Sequence, residues 1–251
     1  MLEVSGITQL FGGVTALDNV TFSITKGDIT GVIGPNGAGK TTLFNIITGI
    51  YSQTAGRVIL NGKDVSGMPP EKLARLKMVR TFQNIELFGG MSVQENVMVG
   101  MHTRSSSGLL ACSLRMPWSR VEETEIREGA MKWLEFTGIT DLADVTAANL
   151  SFGSGRMLEI ARALAVEPEI ILMDEPAAGL NSQETQGLAR LVRQIRDLGI
   201  TVVLVEHDME LVMDICDRIV VLNLGRKLAE GTPREIQDNP EVIAAYLGED
   251  E

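Results

Sequence analysis

Apolar residues change their spacing three times along the chain, and each change predicts a different kind of layer. Leu2–Ile7, Val20–Ile24 and Val58–Leu60 read as strands, and the Asn61-Gly62 dipeptide after the last favours a two-residue hairpin turn. This predicts an antiparallel sheet at the start. Beyond residue 85 the spacing becomes helical, with Ser92-Val93-Gln94-Glu95 as a capping box ahead of Val97 and Val99. Residues 103–120 show no sustained period; Ser105-Ser106-Ser107-Gly108 and Met116-Pro117-Trp118 interrupt it, so this stretch is expected to be a mobile surface excursion. From Glu122 the pattern resumes, placing Ile126, Ala130, Trp133, Leu134 and Thr137 on one helical face that ends at Gly138.

The second half alternates. Ile170–Met173 and Ile200–Val205 are short continuous apolar runs, the kind buried on both faces of a parallel sheet. Between them Leu188, Leu191, Val192, Ile195 and Leu198 keep a 3.6-residue spacing. In the tail, Thr232-Pro233-Arg234-Glu235 and Asn239-Pro240 each mark a helix start. There are no internal repeats and no heptads. The pattern describes an α/β protein.

One loop carries the sharpest chemistry. Gly34-Pro35-Asn36-Gly37-Ala38-Gly39-Lys40-Thr41-Thr42 matches G-x-x-x-x-G-K-[ST] at every fixed position. It follows Asp28-Ile29-Thr30-Gly31-Val32-Ile33, which reads as a short buried strand, and precedes Leu43, Phe44, Ile46 and Ile47 at helical spacing, the strand, loop and helix order that the chemistry needs. The glycines let successive backbone N–H groups point at phosphate oxygens. Lys40 would reach the β- and γ-phosphates, the Thr41 hydroxyl suits a Mg²⁺ ligand, and the helix start aims its positive end at the same charge.

Two further segments gain meaning from that loop. Ile170-Ile171-Leu172-Met173 runs into Asp174-Glu175. Asp174 is suited to hold Mg²⁺ through water, and Glu175 to deprotonate an attacking water. An Asp-Glu-Pro sequence also ends strands in proteins without such chemistry; the upstream phosphate loop favours the catalytic reading. Leu150-Ser151-Phe152-Gly153-Ser154 opens a second helix whose start could seat an oxyanion, although an ordinary N-cap has the same composition.

Composition narrows the partners. In 251 residues, 22 basic against 33 acidic side chains give −11, which argues against a surface made for nucleic acid or anionic lipid. No apolar run approaches eighteen residues and the amino terminus has no signal-like core, so a cytoplasmic protein is expected. Cys112 and Cys216 form no metal-ligand pattern and are expected to be reduced and structural.

Together these segments resemble the ATP-binding cassette family, the ATPase subunits of ABC transporters, over nearly the whole chain. The resemblance makes 34–42 the Walker A loop, 170–175 Walker B, and 150–154 the family signature. Gln83 in Thr81-Phe82-Gln83-Asn84 is similar to the Q-loop glutamine, a second metal contact. Ala178-Gly179-Leu180-Asn181 resembles the D-loop, His207 in Val205-Glu206-His207-Asp208 the switch histidine, and Phe11 the aromatic that stacks on adenine. Two departures stand out. Ser154 sits where glutamine is usual, and Asn181 where aspartate is commoner; neither removes a group needed for hydrolysis.

The resemblance implies a P-loop NTPase fold with a mixed parallel core, an antiparallel β layer and a helical subdomain. The expected division is 1–85 with 158–231 as core, 86–157 as helical subdomain and 232–251 as a helical appendix. It implies ATP and Mg²⁺, with Lys40, Glu175 and His207 catalytic. Gly34 to Thr42, Phe11 and Gln83 bind nucleotide, completed by Ser151 and Gly153 of a second ATPase subunit, identical or not. A membrane permease would dock around Gln83–Val99, with an extracellular or periplasmic substrate-binding protein acting indirectly, and the chain would lie peripherally on the inner face of the membrane. Segments 101–125, 156–162 and 231–249 are similar to the ATPases of branched-chain amino-acid importers. Urea, amides or other amino acids are alternative cargoes, and a soluble cassette ATPase is the alternative class. A GTPase is disfavoured because no N-K-x-D motif appears.

Overall fold

Two sheets form around the strand-like runs, and three strands that showed no such pattern, Met78–Thr81, Arg218–Asn223 and Arg226–Gly231, join the second. The computed structural model describes residues 1–83, 85–101 and 117–247. The first sheet is antiparallel, with β1 (Leu2–Phe11) between β2 (Val14–Ile24) and β4 (Ala55–Leu60), and β5 (Lys63–Asp64) at its edge. The β4–β5 hairpin turns at Asn61 and Gly62, with φ of 50° and 78°, as the dipeptide predicts. Both β1 and β2 extend beyond the segments read from the sequence.

The second sheet is mixed, in the order β10-β9-β3-β8-β7-β6. Its members are β3 (Ile29–Ile33), β6 (Met78–Thr81), β7 (Ile170–Asp174), β8 (Thr201–Val205), β9 (Arg218–Asn223) and β10 (Arg226–Gly231). Only β10 runs antiparallel to its neighbour. Every residue of β3, β7 and β8 is buried, which is why these strands show no polar alternation. Helix α1 (Lys40–Ile47) follows β3 directly, and α2 (Pro70–Arg75) precedes β6. A core of Leu17, Val32, Leu43, Phe44, Leu172 and Val205 joins α1 to both sheets.

The chain divides into two compact units, 1–83 with 169–251, and 84–168. The second holds α3 (Val93–Met101), α4 (Pro117–Phe136) and α5 (Phe152–Leu164) around Val97, Ala130, Leu134 and Leu158. The division expected at 157 falls inside α5. The capping box at Ser92 forms in full, with Glu95 N–H donating to Ser92 Oγ at 3.1 Å and Ser92 N–H to Glu95 Oε2 at 2.8 Å. Helix α4 starts at Pro117, inside the stretch expected to be irregular; proline suits a first helical turn, where its missing N–H has no partner to lose. The rest of the expected excursion, 102–116 with Cys112, lies outside the described residues.

The first unit is completed by α6 (Ser182–Asp197), α7 (Met209–Ile215), α8 (Pro233–Gln237) and α9 (Pro240–Leu247). Leu188, Leu191, Val192 and Ile195 of α6 are buried, but Leu198 is exposed because it caps the helix end. Thr232 and Glu235 form the expected capping box of α8.

Candidate nucleotide site

In a parallel sheet the loops after the strand carboxyl ends meet at one edge, and here four of them carry chemistry. The glycine-rich loop follows β3, His207 follows β8, Asp174 and Glu175 end β7, and Gln83 follows β6. The strands stand side by side in the order β3-β8-β7-β6.

The loop's geometry requires its glycines. At Gly34, with φ of 151°, an added Cβ would lie 2.1 Å from the Leu222 carbonyl oxygen. Gly39 caps α1 in the left-handed region at φ 99°, where a Cβ would press on the Ala16 carbonyl at 2.9 Å. Lys40 is buried and folded back over the loop, its Nζ donating to the Gly34 and Pro35 carbonyl oxygens at 2.5 and 2.9 Å. A cleft of about 500 Å³ opens over the loop. Asn36 through Thr42 line it, together with Glu175 and, on the other wall, Val14, Thr15, Ala16, Leu224 and Gly225.

The carboxylates of β7 are held differently. Glu175 has a left-handed backbone, φ 46°, uncommon for a non-glycine residue, and its N–H donates to the Val205 carbonyl at 2.9 Å. Its Oε2 accepts from Gln83 Nε2 at 2.8 Å and lies 3.7 Å from His207 Nδ1. Asp174 is buried and its Oδ2 accepts from Arg80 Nη2 at 2.5 Å. Thus Gln83, Glu175 and His207 come together, with Asp174 directly behind.

Glu206 organises the neighbouring turns. Buried at the end of β8, it accepts the Ala177 N–H at 2.8 Å with Oε1 and the His207 N–H at 3.2 Å with Oε2. Burial pushes its acid above the ordinary range, against the pull of those N–H groups toward the carboxylate. The loop after Glu175 and the loop bearing His207 therefore share one carboxylate.

Phe11 is half exposed, with its ring edge-on to Tyr51 at 5.6 Å, and is not among the residues lining the cleft. In the second unit Ser151 is the N-cap of α5; its Oγ accepts the Ser154 N–H at 3.2 Å and lies 3.0 Å from the Ser154 hydroxyl. Gly153 is buried in the first turn, and Arg156, fully buried, pairs with Glu159 at 2.7 Å. Asn181, read as the D-loop end, is the N-cap of α6 in a full capping box with Glu184. Sequence reasoning missed Arg80, Glu206 and the wall formed by β2 and the β9–β10 turn. A charge inside the short run Met78–Thr81 was the available signal for Arg80.

Fold and site together define a phosphate-loop nucleotide-binding protein. The ABC transporter family model matches residues 17–178, and a model of the branched-chain amino acid ATP-binding cassette transporters matches residues 226–251. The chain is 47% identical over 250 residues, 99% of its length and 98% of the relative's, to the high-affinity branched-chain amino acid transport ATP-binding protein BraF of Pseudomonas aeruginosa. Among solved structures it is similar to an ATP-binding cassette of an ABC transporter in its ADP conformation, with a TM-score of 0.86 and 35% identity, covering 99% of this chain and 98% of that one. It is also similar to a dimeric post-hydrolysis cassette bound to ADP and Pi, with a TM-score of 0.79 and 27% identity, covering 93% and 99%. The chain belongs to the ABC transporter family, as an ATP-hydrolysing, nucleotide-binding cassette.

Proposed function

We propose that this cassette energises an importer of branched-chain amino acids by closing on ATP with a second ATPase subunit and reopening after hydrolysis. The observation that carries the reading is the convergence of the phosphate loop, Gln83, Glu175 and His207 at one sheet edge. The match of residues 226–251 and the similarity to BraF support the cargo.

ATP enters the cleft with its phosphates on the N–H groups of Gly37 to Thr42, and Lys40 exchanges the Gly34 and Pro35 carbonyls for the β- and γ-phosphates. The oxygen donors Thr41 and Asp174, with Gln83, fit a hard divalent cation, and Mg²⁺ bound there would offset phosphate charge. Glu175 accepts the proton of the attacking water. Its short link to Gln83 and its approach to His207 hold the carboxylate in place, and His207, exposed on its other edge, donates to the γ-phosphate. Ser151 and Gly153 of the second subunit cover the same phosphate, a reading supported by the dimeric ADP-bound relative. Phe11 closes on the adenine, which requires its ring to leave Tyr51.

Among the described residues no helix is long and apolar enough to cross a membrane, and the similarity to transport ATP-binding proteins supports docking on a membrane permease. An apolar recess of about 170 Å³, lined by Ile50, Leu73, Met78 and Phe82 beside Gln83, suits a short permease helix. The test is ATPase activity and sizing of wild type and Glu175→Gln. The variant is expected to bind ATP, form a dimer and turn over at least ~100-fold more slowly, the lower end of the range for one general base. Normal turnover, or a variant that stays monomeric in ATP, would refute the mechanism. Vesicles carrying the cassette with its permease and binding protein should accumulate leucine; accumulation of urea in its place would correct the cargo.

A further inference from the structure

Both carboxylates where β7 ends are gripped from β6 and the residues just after it. Arg80 holds Asp174 and, three residues on, Gln83 holds Glu175. The Gln83 contact lies at the surface. The Arg80 contact is buried, and a buried charge in a strand whose other residues are Met78, Val79 and Thr81 requires a reason.

Arg80 is held through both terminal nitrogens, while its buried Nε has no hydrogen-bond partner among the described residues. Its side chain is 7% exposed. Nη2 donates to Asp174 Oδ2 at 2.5 Å, and Nη1 donates to Asn45 Oδ1 at 2.7 Å and to Thr48 Oγ1 at 2.9 Å. Thr48 can accept because its own hydroxyl donates to the Phe44 carbonyl at 2.6 Å. The guanidinium lies 5.8 Å from the Phe44 ring centre and 5.1 Å from that of Phe82. Asn45 belongs to the last turn of α1 and Thr48 caps it, so the cation sits against the negative end of the helix whose positive end receives phosphate. Such a guanidinium cannot swing away when a ligand arrives, and it cannot lose its proton.

Asp174 is the residue suited to hold a divalent cation, so an arriving metal meets a carboxylate already neutralised and a fixed positive charge behind it. We propose that Arg80 is the resident counter-charge of Asp174, a positioning residue that orients this carboxylate and keeps divalent cations from binding until nucleotide phosphates arrive with them. The inference rests on the reading of Asp174 as a cation holder. It makes nucleotide and metal bind as one unit. A bare dication faces repulsion from Arg80 with only one shared carboxylate to attract it. A dication carried by phosphates brings its own compensating charge. Arg80 also puts the segment that leads to Phe82 and Gln83 in direct contact with the metal-holding residue.

The test uses Mn²⁺ as the probe, titrated by electron paramagnetic resonance into the full chain with and without ADP. Arg80→Gln is expected to bind Mn²⁺ without nucleotide about tenfold more tightly than wild type, a shift of ~1.4 kcal/mol, and the difference should narrow when ADP is present. Arg80→Lys keeps the charge and should stay near wild type, which also reports that a polar change at this position folds. Arg80→Gln combined with Asp174→Asn should lose the gain. Unchanged or weaker Mn²⁺ binding in Arg80→Gln, or a gain that survives Asp174→Asn, would overturn the proposal. If Asp174→Asn alone leaves Mn²⁺ affinity in ADP unaltered, the fault lies instead with the reading of Asp174, and the role of Arg80 falls with it.

Discussion

Truncating Glu206 separates holding the fold from positioning the catalytic loops. In wild type its carboxylate accepts the Ala177 N–H at 2.8 Å and the His207 N–H at 3.2 Å, with Asp208 at the 3.5 Å limit of a hydrogen bond. Two good bonds to an ionised group typically contribute roughly 3–6 kcal/mol. Burial is the largest influence on this acid and opposes its charge, so part of that is offset by desolvation already suffered in the folded state. Glu206→Ala is therefore expected to cost about 2–3 kcal/mol net, or roughly 5–10 °C in Tm for a chain of this size. Glu206→Gln keeps an acceptor for Ala177 and sheds the buried charge, so its stability should fall by no more than ~1 kcal/mol. Its amide N–H₂ then faces the His207 N–H, and the turn carrying His207 must shift. Hence Glu206→Gln should lower kcat severalfold while leaving the KM for ATP unchanged. Calorimetry and steady-state ATPase assays on the two variants check both halves. Glu206→Ala melting with wild type, or Glu206→Gln less stable than Glu206→Ala, would refute the reasoning.

Two other expectations follow from the geometry. Gly34→Ala places a Cβ against the Leu222 carbonyl and should abolish ADP binding by calorimetric titration while destabilising the chain by about 3 kcal/mol or more, a strain that urea unfolding would read. Burial pushes the Cys216 thiol up to about 12, so in a Cys112→Ser background it should resist a disulfide reagent at pH 8 until the chain unfolds. Because the unfolded thiol ionises near 9 and the folded one does not, this group's contribution is intact below pH 9. It falls by on the order of 1 kcal/mol per pH unit between there and about 12, a slope that alkaline unfolding curves would show in wild type and lose in Cys216→Ala.

The phosphate loop and the Asp174-Glu175 pair were readable because each follows a buried apolar run, whereas Gln83 and His207 took their roles from the family resemblance alone. Once β3, β7 and β8 are recognised as buried runs, the residues that follow them must meet, whatever the rest of the chain does. What pattern could not reveal are the contacts across the sheet. Arg80 and Glu206 look like ordinary charges beside known motifs, and only the pairing of β6 with β7 and the closeness of two loops give them partners. The same holds for the far wall of the cleft, which Val14 to Ala16 and Leu224 reach by folding over from distant segments. Periodicity failed at Pro117 because a proline reads as a break until it is known to stand in a first turn, and at Leu198 because apolar spacing continues one residue past the buried face.

The turn between β9 and β10 has a bearing on how this protein can be engineered. Gly225 donates its N–H to the Ala38 carbonyl of the phosphate loop at 3.1 Å and accepts from Asp18 N–H at 2.8 Å, while Leu224 beside it is 84% exposed. Surface exposure would nominate this hairpin as a harmless place to graft a reporter or reconnect the termini, yet it is the rivet between the nucleotide cradle and the antiparallel sheet. The hairpin at Asn61-Gly62, with the same outward look, bonds Met1 and Glu169 and, among the described residues, shows no such bond to the cradle, so Gly62 is the better position to carry a fluorophore.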